Sequence, residues 1–277
     1  MTRSFMSADF RIHSICLVKN EADILEVCLR AASAWSDRIL VYDNGSDDGT
    51  WEVAQSLASD RIIPWKQDPK DFQESLRAEV FNEFRSGAKP GDWWCRLDAD
   101  EFYAEDPRTF LSRVPWPYHV VWGIAAQFYL TEKDLEHSAV EPIEARLARL
   151  RYYAINDSEA RFFRHRDGLR WPPHAAWPAH MGPAFKKRIL YKHYKYRSPE
   201  QIERRLGTRR KAIADGFPGW WSQADAKSWQ GRMSNSGDLK KFEGGAFEYD
   251  EASLPNHLAP PIKHFVKLAL HGMKILP

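Results

Sequence analysis

The chain has 277 residues, of which 43% are hydrophobic and 28% are charged. This composition is typical of a folded globular protein and excludes a low-complexity or disordered chain. The formal net charge is only +2, but basic residues concentrate between residues 161 and 211, and acidic residues between residues 68 and 106. Because a nucleic acid would account only for the basic flank, we expect a ligand that carries both phosphate and metal, and no nucleic-acid partner.

The first hundred residues alternate between predicted strands and helices. Asn20, followed three residues later by Asp23, resembles a capping box and predicts that the first helix begins there. The alternation predicts βαβ units in a mostly parallel sheet. Apolar runs predict strands at 12–18, 38–43 and 61–64 and within DWWCRLDADEF; further helices are predicted from Thr50 to about Ala58 and at 72–84.

The pattern changes after residue 106, where a long strand is predicted at 120–130 and runs of proline and aromatic residues follow. Ser198, Pro199 and Gln201 predict a helix start, and that helix should run to about Ala214. Residues 217–260 show no clear period. We expect a larger α/β domain over residues 1–197 and a helical and loop extension over residues 198–277.

The cysteines and the N-terminus bear on the compartment. Cys16, Cys28 and Cys95 have no metal-binding spacing and are odd in number, so we expect three buried free thiols. The N-terminus is charged and lacks the apolar core of a signal peptide. Residues 114–131 lack Asp, Glu, Lys and Arg, but two prolines make them a poor membrane span. These features predict a cytoplasmic protein.

Polar residues follow three of the predicted strands. Asp98 and Asp100 end one, Asp43 ends another, and Asn20 and Glu21 end the first. Ligands bind outside the carboxyl ends of strands in open α/β sheets, and two carboxylates at i and i+2 suit Mg²⁺ or Mn²⁺. Asp43 can accept a hydrogen bond from a nucleobase ring N–H. The alternative interpretations are a solvated acidic turn at residues 98–101 and an Asx turn at residues 43–49.

The segments LVKNEADILEVCL, VYDNGSDDGT and WWCRLDADEF, in this order and spacing, resemble the family 2 glycosyltransferases with the GT-A fold. The later segments EARFFRH, WPPH and KHYKYRSPEQIERR are similar to bacterial cell-surface glycosyltransferases of this group. The resemblance implies a GT-A-like, Rossmann-type, mostly parallel sheet flanked by helices. It also implies a nucleotide-sugar donor, here expected to be a UDP-sugar, with Mn²⁺ or Mg²⁺ and inverting transfer to an acceptor hydroxyl.

Site residues follow from this resemblance position by position. Asp43 matches the residue that contacts the base, and Arg77 matches an arginine near the nucleotide phosphates. Asp98 and Asp100 match the carboxylates of the metal and the ribose diphosphate, with Asp100 also assigned to catalysis. His193 matches a late histidine that approaches the metal and diphosphate.

Lys195 and Arg197 flank this histidine, where they would neutralise a leaving nucleoside diphosphate. The alternative for the basic segment that they lead into is a solvated charged helix from Glu200 to Lys211.

The sequence departs from the family at the general base. Related sequences often carry a His-Glu pair where this chain has His174-Ala175. We assign the base to His174, because histidine titrates near neutral pH and Trp171 and Trp177 could stack on an acceptor sugar beside it. Asp157 and Glu159 are the fallback bases, and a loop-capping role for His174 is the alternative.

Two other functions fit parts of the sequence. A sugar nucleotidyltransferase also places carboxylates at strand ends, but it usually opens with a glycine-rich basic loop that LVKNEAD does not resemble. A carbohydrate-binding protein would use the tryptophans but would not need three polar strand ends. We therefore expect a glycosyltransferase that acts on a surface glycan or lipid-linked acceptor. The basic amphipathic stretch 262–276 either contacts the inner face of an anionic plasma membrane or packs on the catalytic domain.

Overall fold

The computed structural model describes residues 10–70, 73–135, 141–214, 216 and 227–276. Its strands are β1 (Ile12–Val18), β2 (Arg38–Asp43), β3 (Ile62–Gln67), β4 (Trp93–Leu97), β5 (Glu101–Tyr103), β6 (Val120–Phe128), β7 (Tyr152–Arg164), β8 (Ile189–His193) and β9 (Lys240–Lys241). Its helices are α1 (Leu25–Ala32), α2 (Thr50–Ser56), α3 (Leu76–Phe84), α4 (Pro107–Ser112), α5 (Ile143–Arg149), α6 (Pro199–Ala214) and α7 (Pro261–Gly272).

These strands form one sheet in the order β3-β2-β1-β4-β7-β6-β8-β5, with β9 added beside β7. The strands β1 to β4 pair in parallel, as the alternating βα pattern predicts. The strand β7 then pairs antiparallel with both β4 and β6. The predicted α/β fold class, with a Rossmann-type sheet flanked by helices, is confirmed, and the antiparallel half is built from the segment where the βα rhythm stops.

The sheet is covered on both faces. Alternate residues of β1 point to opposite sides, so that Cys16 packs with the helix α1 and Ile15 packs with Phe81 of the helix α3. All three cysteines are buried free thiols, as predicted. Trp93 and Trp94 are also buried, one on each face of β4. These two tryptophans are therefore part of the hydrophobic core.

The predicted start of the first helix is wrong. The helix α1 begins at Leu25, and Asn20 adopts a left-handed backbone with φ of 58°. Its side-chain oxygen accepts a hydrogen bond from the backbone N–H of Asp47 at 3.0 Å. The segment after β1 is therefore a loop fixed by the loop after β2.

The predicted start of α6 is confirmed, because Ser198 Oγ accepts a hydrogen bond from the backbone N–H of Gln201 at 3.2 Å. Phe72, the predicted start of α3, and residues 217–226 of the predicted loop region lie outside the described residues. The strand β9 lies in the predicted C-terminal extension and joins the sheet beside β7, so this extension packs on the larger predicted domain. The domain boundary at residue 197 stays a prediction. None of the described helices has the length and apolar character required to cross a bilayer.

Candidate active site

The register of the parallel strands brings the polar strand ends to one edge of the sheet. Val18 at the end of β1 pairs with Asp43, and Cys16 pairs with Leu97 at the end of β4. The residues that follow β1, β2 and β4 therefore meet outside the sheet, as the sequence predicts. We call this edge the crevice, and its members are Asn20, Glu21, Asp43, Asp98 and Asp100.

Asp98 is surrounded by arginines from three elements. One of its carboxylate oxygens accepts from Arg77 of α3, and the other accepts from Arg161 of β7 at 3.2 Å. Arg96 of β4 lies 3.9 Å from the second oxygen. Burial raises the pKa of Asp98, but the three guanidinium groups outweigh it and hold the pKa well below its usual range. Asp98 is therefore ionised, and both of its carboxylate oxygens already have arginine partners from the same chain.

Arg161 reaches Asp98 because the strand beside it carries a glycine. Its guanidinium carbon lies 4.6 Å from the centre of the Tyr191 ring, and its Nη2 donates to the Tyr191 hydroxyl at 2.7 Å. A Cβ at Gly123 of β6 would lie 2.6 Å from that ring and 2.8 Å from Arg161 Cγ. The absence of a side chain at residue 123 makes room for this pair.

The same arginine holds two further carboxylates. Arg161 Nη2 donates to Glu101 and, at 2.6 Å, to Glu159. The other oxygen of Glu101 is buried and has no hydrogen-bond partner among the described residues. Burial raises the pKa of Glu101 well above its usual value, against the opposing charge of Arg161. Arg161 is thus the centre of a buried charge cluster behind Asp98.

Asp100 has a different set of partners. Its Oδ2 lies 3.4 Å from Nε2 of His193 and 3.3 Å from Nη1 of Arg205. The antiparallel pairing of β5 with β8 sets Glu101 opposite His193, which places the histidine beside the carboxylate. Burial raises the pKa of Asp100, but His193 first and then Arg205 lower it far below the usual range. Asp100 is an anion whose partners come from β8 and α6.

Arg205 also reaches Glu21, whose Oε1 accepts from its Nη1 at 3.2 Å. The other oxygen of Glu21 accepts from the buried Arg197 at 2.6 Å, and Arg197 further donates to Asp23 at 2.7 Å. Burial raises the pKa of Glu21, against the pull of Arg197. In this structure the guanidinium of Arg197 holds the loop after β1 against α6, which gives it a positioning role.

Asp100 and His193 are the residues that fit a divalent cation. A carboxylate oxygen and an imidazole nitrogen are both metal ligands, and they lie close enough to share one ion. Mg²⁺ and Mn²⁺ commonly take only one or two protein side chains and complete their shell with phosphate oxygens and water. No cluster of three or more His, Cys, Asp or Glu within the described residues could hold an ion without such help.

Asp43 is fully buried, and its Oδ1 accepts from the backbone N–H of Ser46 at 2.6 Å. This is the Asx-type turn that the sequence offered as an alternative. Its Oδ2 is buried and has no partner among the described residues, and burial raises the pKa of Asp43. The segment 68–70 packs against this turn, with the backbone N–H of Asp68 donating to the carbonyl of Asp43 at 2.9 Å. A ligand reaches Asp43 only after a local shift.

His174 is exposed in the segment that follows β7. Trp171 beside it is buried against Phe81 and Phe163, so the expectation that it stacks on a sugar is wrong. Trp177 is half-buried, and the guanidinium of Arg96 lies 5.3 Å from its ring centre. Since Arg96 neighbours Asp98, this contact ties the segment carrying His174 to the crevice.

The remaining predicted residues lie at the margins of the site. The Nζ of Lys195 lies 5.5 Å from the Tyr196 ring, and burial lowers the pKa of this lysine. Asp157 is exposed on β7. Glu159 is ion-paired through both of its carboxylate oxygens, with Arg161 at 2.6 Å and Arg96 at 3.2 Å. Glu159 therefore shares both of these arginines with Asp98.

Two residues that bind the crevice carboxylates were missed by sequence reasoning. Arg161 lies within EARFFRH but had no assigned role. Arg205 belongs to the basic helix for which a solvated face was the alternative, and Gln201, Arg205 and Thr208 follow one another there at helical spacing. Thr208 accepts from Asn20 at 3.4 Å, so this polar row faces the crevice. The row is the signal that could have identified Arg205.

A comparison with known proteins identifies the family of this chain. The family model described as Glycosyl transferase family 2 matches residues 15–160, which is more than half of the chain. The match spans β1 to β7 and includes Asp43, Arg77, Asp98 and Asp100. His174, His193 and Arg205 lie beyond it.

Two solved structures are similar to the chain at a low level. One is described as a mycobacterial protein, with 18% identity, a TM-score of 0.31 and coverage of 52% of this chain and 50% of that one. The other is mannosyl-3-phosphoglycerate synthase from Rubrobacter xylanophilus, with 16% identity, a TM-score of 0.32 and 77% of each chain covered. The chain thus spans half the length of the mycobacterial protein.

Proposed function

Because this chain belongs to glycosyl transferase family 2, we propose that it moves a sugar from a nucleotide-sugar donor to a hydroxyl of a glycan or lipid-linked acceptor. The observation that carries this proposal is the pair of Asp100 and His193, with Arg205 beside it, at the carboxyl edge of the parallel strands. A UDP-sugar is the proposed donor, and a bacterial surface glycan is the proposed product.

The leaving diphosphate determines what the crevice must do. When the bond between the anomeric carbon and the diphosphate oxygen breaks, that oxygen gains charge, and preorganised cations stabilise it. Arg205 is the guanidinium best placed to contact the diphosphate, because Glu21 keeps Arg197 and Asp100 keeps the His193 ring as partners when it moves. A Mn²⁺ or Mg²⁺ ion held by Asp100 and His193 would supply further positive charge at the same oxygens.

The acceptor hydroxyl must lose its proton as it attacks the anomeric carbon from the face opposite the diphosphate, which inverts that carbon. Among the proposed bases, His174 is an exposed imidazole, the side chain used most often for general base catalysis, whereas Glu159 is ion-paired with two arginines. His174 is therefore the proposed base, and Trp177 is the ring proposed to face the acceptor sugar.

The donor can be identified by incubating the purified protein with UDP-, GDP-, dTDP- and CMP-sugars and Mn²⁺, and measuring the release of the nucleoside diphosphate or, from a CMP-sugar, of CMP. We expect release with a UDP-sugar, with an acceptor hydroxyl raising the rate. Release of pyrophosphate from a nucleoside triphosphate and a sugar phosphate would instead identify a nucleotidyltransferase, and binding without turnover a carbohydrate-binding protein.

The two histidines can be separated by kinetics. His174→Ala should lower kcat by roughly 10²–10⁴-fold, the usual cost of a lost general base, with nucleotide affinity unchanged. His193→Ala should also weaken the binding of the nucleotide with Mn²⁺, measured by calorimetry. If His174→Ala turns over normally and Glu159→Gln or Asp157→Asn does not, the base is that carboxylate.

A cytoplasmic location with peripheral contact at the inner face of the plasma membrane belongs to the same proposal. The helix α7, within the basic stretch 262–276, is the segment that supports it.

A further inference from the structure

The helix α7 presents its apolar side chains to solvent. Ile262, Phe265 and Val266 recur at helical spacing, and Met273 follows two turns further on. All four are exposed, Ile262 by 83% and Phe265 by 72%. Such a stripe is the face that a surface helix of a globular protein normally turns toward the core.

The opposite side of α7 faces the protein. The ring of His264 stacks on Tyr118 at 6.1 Å, and the ring of His271 meets His119 edge-on at 5.2 Å. At 100° per residue, both histidines project nearly opposite Ile262. The helix therefore docks through two histidines and leaves its apolar stripe outward, the reverse of ordinary packing.

The charge of this segment has one sign. Lys263, Lys267 and Lys274 lie along one flank of the apolar stripe, and residues 252–277 contain no Asp or Glu. Lysines beside an apolar stripe keep their amines in water while their stems cover apolar surface. A row of lysines beside aliphatic and aromatic side chains is typical of helices that lie in the plane of a membrane interface.

An exposed tryptophan lies near the same helix. Trp116 is 62% exposed, and its ring meets that of His119 at 6.5 Å, which in turn contacts His271. It therefore lies close to the C-terminal turn of α7. Tryptophan is enriched where protein meets the headgroup region of a bilayer, because its ring is apolar and its N–H is polar.

We infer that α7 and Trp116 bind an anionic lipid surface, with the helix lying in the interface and its lysines at the headgroups. The charges favour this occupant over a second copy of the chain, which would bring the same three lysines and no carboxylate from this segment. The inference deepens the membrane contact of the proposed function, on which it rests, and its test needs neither donor nor acceptor.

The position of α7 leaves the crevice open. Tyr118 and His119 precede β6, and Val120 pairs with Phe163, which pairs in turn with Trp94 near the start of β4. The helix thus packs at the amino-terminal edge of the sheet, whereas Asp98 and Asp100 lie at the carboxyl edge. Lipid and nucleotide can bind at the same time.

The test is sedimentation of the full chain with vesicles of equal phosphatidylglycerol and phosphatidylcholine, compared with phosphatidylcholine alone. We expect binding to the anionic vesicles that falls with salt. Phe265→Asp should weaken it by about tenfold or more, since an exposed ring can enter the interface without cost to the fold. Replacement of Lys263, Lys267 and Lys274 by Gln should weaken it about 100-fold.

Matched controls use exposed residues elsewhere. Ile213→Gln, and the joint replacement of Lys89, Lys133 and Lys227 by Gln, should bind as the wild type does. Equal binding to both vesicle types, or loss of binding in these controls, would overturn the inference. A second overturning result would be a wild-type protein that binds no vesicles and forms a dimer in analytical ultracentrifugation, with Phe265→Asp monomeric.

Discussion

Asp98 and Asp100 are two residues apart in one motif, yet their surroundings differ. Two of the three arginines on Asp98 are almost fully buried, Arg77 by 98% and Arg161 by 99%, whereas the side chains on Asp100 are more open, His193 being 17% and Arg205 27% exposed. Buried partners cannot leave without unpairing several charges. Open partners can be exchanged for a ligand. From this comparison we expect Asp98 to hold the sheet edge and Asp100 to contact the proposed donor.

The largest expected effect comes from Arg161. Arg161→Met would leave Glu101, Glu159 and Asp98 without their shared partner, and breaking a buried ion pair costs about 3–5 kcal/mol. Denaturant unfolding measures this loss. The matched variant Arg205→Met should lose less than about 1 kcal/mol, because Glu21 keeps Arg197 and Asp100 keeps His193. Equal losses in the two variants would remove the distinction between the clusters.

Asp100→Asn should lower turnover by roughly 10²–10³-fold, the scale of one lost electrostatic contact to the transition state. Its folding stability should fall less than that of Arg161→Met, because the side chain keeps its shape and Arg205 keeps Glu21 as a partner. Turnover with each variant and with excess chelator measures the effect, and Asp60→Asn on the surface is the control. Full activity in Asp100→Asn would contradict its expected role. So would an Asp98→Asn variant that loses turnover while its free energy of unfolding is unchanged.

Asp43 resembles neither Asp98 with its buried arginines nor Asp100 with its more open partners. One of its oxygens is buried without a partner among the described residues. If that oxygen accepts a base N–H, Asp43→Ala should weaken nucleotide binding by about 1.5–3 kcal/mol in calorimetry. Asp43→Asn keeps the turn to Ser46 while it replaces the other oxygen with an N–H₂ donor. It should weaken binding as much, and wild-type affinity in both variants would exclude Asp43 from the base pocket.

The smallest effect is on the pH dependence of stability. The pKa of Asp98 is depressed in the folded chain, so its contribution is present above the usual pKa of 3.8 and is lost as the pH falls below it. The Tm difference between the wild type and Asp98→Asn should therefore shrink from pH 7 to pH 3. We expect a change of about 2–4 °C, equivalent to about 1 kcal/mol for a chain of this size. A constant difference across this range would contradict the ion pairing of Asp98.

The sequence predicted the strand ends better than the side chains that meet them. Asp43, Asp98 and Asp100 follow buried apolar runs, a local pattern that determines where each strand stops. Asn20 misled the prediction because its amide binds Asp47, which is distant in the chain. The contact of Arg161 with Asp98 spans 63 residues and that of Arg205 with Asp100 spans 105. Such pairs depend on the order of the strands, and no local pattern records them.

Gly123 has a consequence for how this protein can vary during evolution. A methyl group there would collide with both Tyr191 and Arg161, which are buried and cannot retreat. Replacing the glycine would therefore displace Arg161, and Glu101 would lose its ion-pair partner. We expect homologues with alanine at this position to carry a smaller residue in place of Tyr191 and an uncharged residue in place of Glu101, so that the three positions change together.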